Sequence, residues 1–323
     1  MKLKIGIAGY GNIGKGVEKA ISKCPDMELA AVFTRRDPEK LRVETPKIPV
    51  YALDEAKELK DDIDVMVLCG GSAKDLPEQA PKLAALFNIV DTFDTHSKIP
   101  EYFAAVDKAA ADKTAVISAG WDPGLFSMIR MMSQAVLPEG ENYTFWGRGV
   151  SQGHSDAIRK VEGVKNAVQY TVPIEEAVDK VRSGANPRLS ARQKMKRECC
   201  VVAAEDADLK KIEEKIITMP DYFADYDTTV TFITEEELLK NHSKMPHGGF
   251  VLYSGSTGEN RHVMEFSLKL GSNPEFTACV VLAYARAAAR MAKEKNFGAK
   301  TVFDVPLSYL SPKDRGTLIK ELL

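Results

Sequence analysis

The chain has 323 residues, of which 44 are Lys or Arg and 46 are Asp or Glu, and its formal net charge is -2. This balanced charge, with no basic stripe between aromatic residues, predicts no nucleic-acid partner. The apolar runs are far shorter than the ~20 residues that span a bilayer, so we expect no membrane partner. The length exceeds the ~250 to 300 residues at which single cores stop growing, which indicates two domains.

The first element is an apolar strand, residues 4–8, and a glycine-rich turn follows it. Glycines in this pattern allow a tight turn, let backbone N–H groups approach a pyrophosphate, and let the next helix pack on the strand. An amphipathic stretch and a second strand, residues 28–33, follow at the spacing of a βαβ unit. The pattern therefore predicts a dinucleotide site. The turn residues that we expect at the cofactor are Gly9, Tyr10, Gly11, Asn12 and Ile13, with Gly14 as the third glycine.

The end of the second strand indicates which dinucleotide binds. An NAD site places an acidic residue there to bind the ribose 2'-hydroxyl, whereas this chain has Thr34, Arg35 and Arg36. A hydroxyl and two guanidinium groups suit a 2'-phosphate. The sequence predicts NADP as the cofactor, and the alternative is a structural turn beside a solvated Arg pair.

Strand and helix patterns continue to alternate up to about residue 120. We expect further strands over 50–52, 64–69, 88–92 and 114–118, and a helix over 79–87. These patterns predict a Rossmann-type, doubly wound parallel sheet in a dinucleotide-binding domain, residues 1–121. Ligands of such sheets lie beyond the carboxyl ends of the strands. The residues expected there are Cys69, Gly70, Gly71, Ser72, Thr92, Phe93, Asp94, Ala119, Gly120, Trp121, Asp122 and Pro123.

The second half has longer strand patterns, over 164–173, 197–204, 228–233 and 263–270, separated by polar connectors. They predict an α+β domain with a mostly antiparallel sheet, residues 122–297, for substrate binding and dimerisation. A surface loop is expected over 182–193 and a strong helix over 276–295. Residues 298–323 are expected to pack back on the first domain. The fold class predicted for the whole chain is α/β.

Five cysteines and five histidines lack the spacing of a metal site or a disulfide framework. Cys199 and Cys200 are adjacent, the number of cysteines is odd, and no H-E-x-x-H pattern occurs. We therefore expect no metal, reduced thiols and a cytoplasmic location.

Several separate motifs carry a family resemblance. The polar, glycine-rich segment 146–156 occurs together with the motifs at 33–36, 120–124, 168–171, 219–222, 245–249 and 301–303. In this order they closely resemble the meso-diaminopimelate dehydrogenase family, from the first strand to near the C-terminus. The resemblance implies NADP-dependent oxidative deamination of the D-centre of meso-2,6-diaminopimelate, giving L-2-amino-6-oxopimelate and ammonia. It also implies a place in lysine and diaminopimelate biosynthesis and a homodimer.

The resemblance assigns roles to residues. Asp94 and Asp122, each just past a predicted strand, are placed to hold the reacting ammonium, and a carboxylate or a water that it orients would take a proton. Thr171, Arg197 and His247 match positions that grip the distal carboxylate. Trp146, Gln152, Gly153 and Asn273 complete the predicted pocket. The local pattern departs from the family just before Arg197, at Met195 and Lys196.

Each assignment has a structural alternative. A carboxylate after a strand is often only a helix cap or turn former, as Asp94 or Asp122 could be. His154 could bond within its own loop, Trp146 could be core, and the cysteines in apolar runs are most simply small buried residues.

Other functions are also open on the sequence. A different NADP-dependent amino-acid or aldehyde reductase could use the same nucleotide domain. An aspartate-semialdehyde-type enzyme would need an activated cysteine in a polar turn, whereas the cysteines of this chain lie in apolar runs. A sugar dehydrogenase of the Glu-Lys-Pro type is disfavoured because the matching stretch reads Asp94-Thr95-His96-Ser97-Lys98-Ile99-Pro100. A catalytically silent NADP(H) sensor would need no second cleft with paired Asp and Arg side chains, whereas the second half of this chain has many of them.

Overall fold

The computed structural model describes residues 2–323 and divides the chain into two compact units. Unit 1 comprises the chain up to Met128 together with Pro274–Leu323, and unit 2 comprises Ile129–Asn273. The strands are β1 (Leu3–Ala8), β2 (Met27–Thr34), β3 (Val50–Ala52), β4 (Val65–Leu68), β5 (Ile89–Asp91), β6 (Thr114–Val116), β7 (Gly140–Trp146), β8 (Gly149–Val150), β9 (Val164–Pro173), β10 (Met195–Ala203), β11 (Asp227–Phe232), β12 (His247–Thr257), β13 (Asn260–Leu270) and β14 (Gly298–Lys300). The α-helices are α1 (Asn12–Ile21), α2 (Leu76–Ala84), α3 (Ile99–Ala109), α4 (Leu125–Val136), α5 (Gln152–Arg159), α6 (Glu175–Arg182), α7 (Ala191–Lys194), α8 (Leu209–Ile217), α9 (Glu235–His242), α10 (Asn273–Lys293) and α11 (Arg315–Leu322).

Unit 1 contains one parallel sheet in the order β14-β6-β5-β4-β1-β2-β3. Chain order reverses between β1 and β4, so the sheet has the switch point of a doubly wound fold. Alternate side chains of each strand enter two separate cores. Val65 and Val67 pack on one face with α1 and α10, whereas Met66 and Leu68 pack on the other face with α2 and α3.

Helix α10 lies in unit 1. The sequence patterns had predicted that the second domain extends to residue 297, so this helix was expected in the other unit. Its buried residues, among them Val281 and Ala285, belong to the same apolar core as Ile5, Ile7 and Val17. The contacts that hold this helix therefore come from the parallel sheet and the helix packed on it. Strand β14 then pairs with β6 at the edge of the same sheet.

Unit 2 contains two sheets. The first has the order β11-β10-β9-β8, in which β10 pairs antiparallel with β9 and parallel with β11. The second, β13-β12-β7, is antiparallel throughout. The fold class is confirmed, but the sequence patterns did not reveal that these strands divide between two sheets.

Strand β12 was missed because Gly248 and Gly249 near its start resemble a turn signal. Both have positive φ, at 149° and 151°. A Cβ on Gly248 would lie 2.1 Å from the carbonyl oxygen of Leu268, and one on Gly249 would lie 2.2 Å from that of Phe145. Glycine is needed here because two neighbouring backbones approach closely.

The predicted elements also differ at their ends. The helix predicted over 79–87 is α2, which begins three residues earlier at Leu76 with a proline in its first turn. The predicted loop over 182–193 is irregular from the end of α6, at Arg182, to the start of α7, at Ala191. Ser190 caps α7 by accepting the N–H of Gln193, so the last residues of the predicted loop are helical. No helix within residues 2–323 is both long and apolar enough to cross a membrane.

Candidate functional site

The glycine-rich turn of unit 1 has the backbone of a dinucleotide site. Gly9 has φ +97°, and a Cβ on Gly14 would lie 2.3 Å from the carbonyl oxygen of Gly9, so both positions require glycine. Gly11 is different, because a Cβ there would meet nothing within 4 Å. Gly11 precedes α1 without a side-chain cap, and the first turn of α1 has no acidic residue. This helix terminus therefore suits a pyrophosphate.

The predicted phosphate-binding residues lie beside this turn. The hydroxyl of buried Thr34 accepts the N–H of Arg36 at 3.0 Å, and the Arg36 guanidinium donates to the carbonyl of Tyr10 at 2.8 Å. Arg35 is mostly exposed and forms an ion pair with Asp75 at 2.8 Å. The two guanidinium groups are thus held at the end of β2, where a ribose 2'-phosphate would bind.

A cavity of about 490 Å³ adjoins Arg35 in unit 1. It has an apolar wall formed by Leu53, Leu83 and Leu86. Its charged lining includes three lysines, which follow no fixed spacing in the sequence, and three carboxylates: Lys57, Lys74, Lys82, Asp54, Asp75 and Glu78. The apolar wall suits the adenine ring of the cofactor.

The loops after β4, β5 and β6 are tied to each other. The N–H of Asp94, after β5, donates to the Ser72 hydroxyl, after β4, at 3.1 Å. The N–H of Ala119, after β6, donates to the carbonyl of Asp91 at the end of β5 at 2.9 Å. Asp94 is exposed and Asp122 is partly exposed. The structure therefore places both predicted carboxylates at the carboxyl end of the parallel sheet, where ligands of such folds bind.

Asp91, which the sequence analysis did not single out, lies beneath these loops. It is fully buried and accepts the N–H of Phe93 at 3.0 Å, the N–H of Ser118 at 2.9 Å and the hydroxyl of Tyr102 at 2.6 Å. Burial raises the pKa of Asp91, although these three donors act in the opposite direction. No sequence pattern marks it, because its partners come from three different elements.

In unit 2, Arg197 and Thr171 face each other on paired strands. They are directly opposite in the register of β10 and β9, both are buried, and the guanidinium donates to the Thr171 hydroxyl. The guanidinium also lies over the ring of Tyr226, with its carbon 3.9 Å from the ring centroid. Burial lowers the pKa of Arg197, and its Nε has no hydrogen-bond partner.

Arg197 therefore presents a buried positive charge without a carboxylate. None of the ion pairs within residues 2–323 includes it. Burying a charge without a counter-ion is costly, so such an arrangement in a protein is typical of a binding site for an anion. A carboxylate is the group that a guanidinium binds with two parallel hydrogen bonds.

Among the other predicted residues of unit 2, His247 lies beside this pair, whereas Gln152 and Asn273 both contact Met245. Gly149 lies opposite Thr171 in the sheet, and a Cβ on Gly149 would lie 2.4 Å from the ring of His247, so His247 packs against that backbone. The Gln152 amide lies 2.7 Å from the sulfur of Met245, whose carbonyl accepts the N–H of Asn273 at 2.9 Å. A Cβ on Gly153 would meet nothing within 4 Å, and Trp146, at the end of β7, is only partly buried.

His154 lies near Arg197, in the first turn of α5, and bonds to the residue that precedes this helix. Its Nδ1 is 2.8 Å from the Ser151 hydroxyl, and its ring meets Tyr222 and Phe223 edge-on. Burial, and then the charge of Arg197, lower the pKa of His154 to about 4. The ring is neutral at pH 7, so a contribution of positive charge from His154 is excluded at that pH.

The cysteines in the apolar runs are poor nucleophiles. Burial raises the pKa of Cys69 and of Cys199 to about 12. This disfavours an enzyme that attacks an aldehyde with cysteine. Within residues 2–323, no three His, Cys, Asp or Glu side chains group as a metal site would require.

Comparisons with known proteins agree with these features. A family model described as the diaminopimelic acid dehydrogenase C-terminal domain matches residues 120–272. The meso-diaminopimelate D-dehydrogenase of Lysinibacillus sphaericus is 60% identical over 99% of both chains. The DAP dehydrogenase of C. glutamicum, solved in complex with DAP, is 46% identical with a TM-score of 0.93, over 100% of this chain and 99% of that one. An engineered D-amino acid dehydrogenase bound to NADP+ is 44% identical with a TM-score of 0.89, over 100% of both chains.

Proposed function

This chain belongs to the meso-diaminopimelate D-dehydrogenase family, and we propose that it oxidatively deaminates the D-centre of meso-2,6-diaminopimelate with NADP. The products are L-2-amino-6-oxopimelate and ammonia, and the reaction is reversible. The observation that carries the proposal is the buried guanidinium of Arg197, which has no carboxylate partner within residues 2–323, because the substrate has a distal carboxylate that would supply this counter-ion.

The cofactor is held by residues of unit 1. Gly9, Gly11 and the N-terminus of α1 bind the pyrophosphate, and Arg35 and Arg36 bind the 2'-phosphate. When bound, NADP supplies the two-electron oxidation of the substrate. The residues after β4, β5 and β6 that were predicted to contact the cofactor complete its site.

Asp94 and Asp122 act on the reacting amine. Each carboxylate attracts the ammonium of the D-centre and holds it in one orientation. Oxidation requires the nitrogen lone pair to form a C=N bond, so one of these carboxylates, or a water that it orients, removes a proton first. Water then adds to the imine carbon and ammonia leaves.

Residues of unit 2 select the substrate. Arg197 and Thr171 bind the distal carboxylate, with His247 beside them. Trp146, Gln152, Gly153 and Asn273 surround the remainder of the molecule. Such a site rejects an amino acid with an apolar tail, because the buried guanidinium would then stay unpaired.

We also propose a homodimer. In unit 2, the α4 side chains Met131, Met132 and Val136 are exposed, at 46%, 50% and 65%. Three large apolar side chains exposed on one helix are typical of a surface that is covered by a partner. Light scattering at micromolar concentration tests this: a dimer is expected, and a monomer would contradict the assignment.

The activity is tested by mixing the purified protein with NADP and meso-diaminopimelate and following the absorbance of the reduced nicotinamide. The LL isomer has no D-centre and serves as the matched control, and NAD serves as the control for the cofactor. We expect reduction with meso-diaminopimelate and NADP, none with the LL isomer, and much slower reduction with NAD. Equal rates with the LL isomer, or no reduction with either, would contradict the proposed function.

A further inference from the structure

Asp91 is a single buried carboxylate shared by the two loops that carry the reactive carboxylates. Its Oδ1 accepts the N–H of Phe93 in the loop before Asp94, and the same atom accepts the N–H of Ser118 in the segment before Asp122. Its own carbonyl accepts the N–H of Ala119 at 2.9 Å. One residue thus fixes the backbone of both segments.

The second carboxylate oxygen is held from helix α3. The Tyr102 hydroxyl donates to Oδ2 at 2.6 Å, and the Tyr102 ring stacks on Phe93 with centroids 4.0 Å apart. Tyr102 therefore contacts both Asp91 and the loop that leads to Asp94. Both side chains are almost fully buried, so water does not compete for these hydrogen bonds.

Ser118 shows why such an anchor is needed. It has φ +55°, a left-handed conformation that residues other than glycine rarely adopt, and its hydroxyl is buried without a hydrogen-bond partner. The hydrogen bond from its N–H to Asp91 holds this segment in that conformation. Without it, the segment would be free to relax, and Asp122 would move with it.

Asp91 has no counter-ion within residues 2–323, although it is fully buried. A carboxylate in that setting is costly, and a residue that only filled space would not be acidic. The three hydrogen-bond donors stabilise the buried carboxyl group of Asp91.

We propose that Asp91 is a positioning residue for the deamination, which holds Asp94 and Asp122 in place through the backbone of Phe93 and Ser118. The inference rests on the proposed function for the roles of those two carboxylates. Asp91 itself touches neither substrate nor cofactor in this scheme.

The decisive comparison is between Asp91→Ala and Asp91→Asn. An asparagine has the same shape, its oxygen can accept both N–H groups, and its amide can donate to the Tyr102 oxygen. Alanine leaves both N–H groups without a partner. We expect kcat for meso-diaminopimelate to fall about 10²-fold in Asp91→Ala and less than about fivefold in Asp91→Asn.

Hydrogen exchange measures the positioning without reference to activity. In Asp91→Ala, the N–H groups of Phe93 and Ser118 should exchange at least about tenfold faster than in the wild type, and Asp91→Asn should keep most of the protection. If the wild-type protein does not turn over meso-diaminopimelate, the proposed function is wrong. Hydrogen exchange then still tests whether Asp91 holds the backbone of Phe93 and Ser118 in place. Unchanged exchange in Asp91→Ala would overturn the inference.

A double-mutant cycle separates positioning from a general loss of stability. If Asp91 acts through Asp94 and Asp122, adding Asp91→Ala to the Asp94→Asn, Asp122→Asn background should reduce kcat by less than about threefold further. An undiminished loss in that background would contradict the inference. Equal damage by Asp91→Asn and Asp91→Ala would also contradict it, since the charge would then matter and not the hydrogen bonds.

A second variant covers the case in which Asp91→Ala does not fold. Tyr102→Phe removes one donor to Asp91, and its matched control is Tyr253→Phe, which removes a buried hydroxyl bonded to the carbonyl of Leu137. We expect Tyr102→Phe to lower kcat and speed exchange at Phe93 and Ser118, whereas Tyr253→Phe does neither. No difference between these two variants would overturn the inference.

Discussion

Arg197 is held by the face of Tyr226, 29 residues further along the chain, with its guanidinium carbon 3.9 Å from the ring centroid. A cation over an aromatic face is stabilised without any neutralisation of its charge. Thr171 then fixes one edge of the guanidinium. The group is thereby oriented for a ligand while its positive charge stays available.

Arg197→Met should therefore remove recognition of the distal carboxylate. We expect kcat/KM for meso-diaminopimelate to fall about 10³-fold or more, because a site built for a charged group discriminates strongly when one partner is lost. NADPH binding, measured by fluorescence titration, should stay within about twofold. Arg197→Lys is the matched control: it keeps the charge without the planar fork and should lose less. Near-normal kcat/KM in Arg197→Met would show that the distal carboxylate binds elsewhere.

The preference for NADP should depend on Arg35 and Arg36. Replacing both with Ala should raise KM for NADP and leave KM for NAD nearly unchanged, since each charge-assisted bond to the phosphate is worth about 1.5 to 3 kcal/mol. Steady-state kinetics with the two cofactors measure the ratio. Arg42→Ala is the control, because Arg42 is exposed and its guanidinium donates to the carbonyl of Glu39. An unchanged ratio in the double variant would refute the assignment.

Two glycines of the first turn should behave differently when replaced. In Gly11→Ala the added Cβ meets no protein atom, so we expect normal thermal stability and NADPH binding weakened about tenfold, because the methyl group occupies space meant for the pyrophosphate. In Gly14→Ala the Cβ would overlap the Gly9 carbonyl, and the free energy of unfolding should fall by about 1 to 3 kcal/mol. Calorimetry and fluorescence titration distinguish the two. Tight NADPH binding by Gly11→Ala would place the pyrophosphate elsewhere.

Asp94→Asn and Asp122→Asn keep the size of the side chain and remove the negative charge. Each should lower kcat/KM for meso-diaminopimelate by about 10² or more, the lower range for positioned acid–base groups. The exposed Asp61 supplies the control variant, Asp61→Asn, which should be indistinguishable from wild type. If both single variants turn over normally, these carboxylates serve only the structure of their loops.

Stability should fall in mild acid because of His154. Its pKa is about 4 in the folded protein, whereas an unperturbed histidine has about 6.5. Between these values the unfolded chain binds more protons, so the free energy of unfolding decreases as pH falls from about 6.5 toward 4, by about 1 to 3 kcal/mol in total. Urea unfolding at several pH values measures this decrease. His154→Gln should flatten it, and His262→Gln at an exposed position should not; equal slopes in wild type and His154→Gln would contradict the assignment.

The order of residues along the chain was sufficient to predict the glycine-rich turn and the elements that flank it. The strand, the glycine-rich turn, the helix and the Arg pair lie within the first 36 residues, and their chemistry depends on spacing along the chain. The parallel sheet and the positions of Asp94 and Asp122 followed from the same rule, because loops after parallel strands meet at one edge. The family motifs then indicated Thr171, Arg197 and His247.

Tertiary structure decided what depends on partners far apart in sequence. The membership of α10 in unit 1 depends on a core shared with β1, more than 260 residues earlier. In the sequence, nothing distinguishes Asp91 from the other acidic residues, of which there are 46 in all. Only the structure shows that Phe93, Tyr102 and Ser118 all donate hydrogen bonds to it. Side-chain periodicity reports which face of an element is buried, but not which element buries it, and only the three-dimensional fold brings such groups within hydrogen-bonding distance.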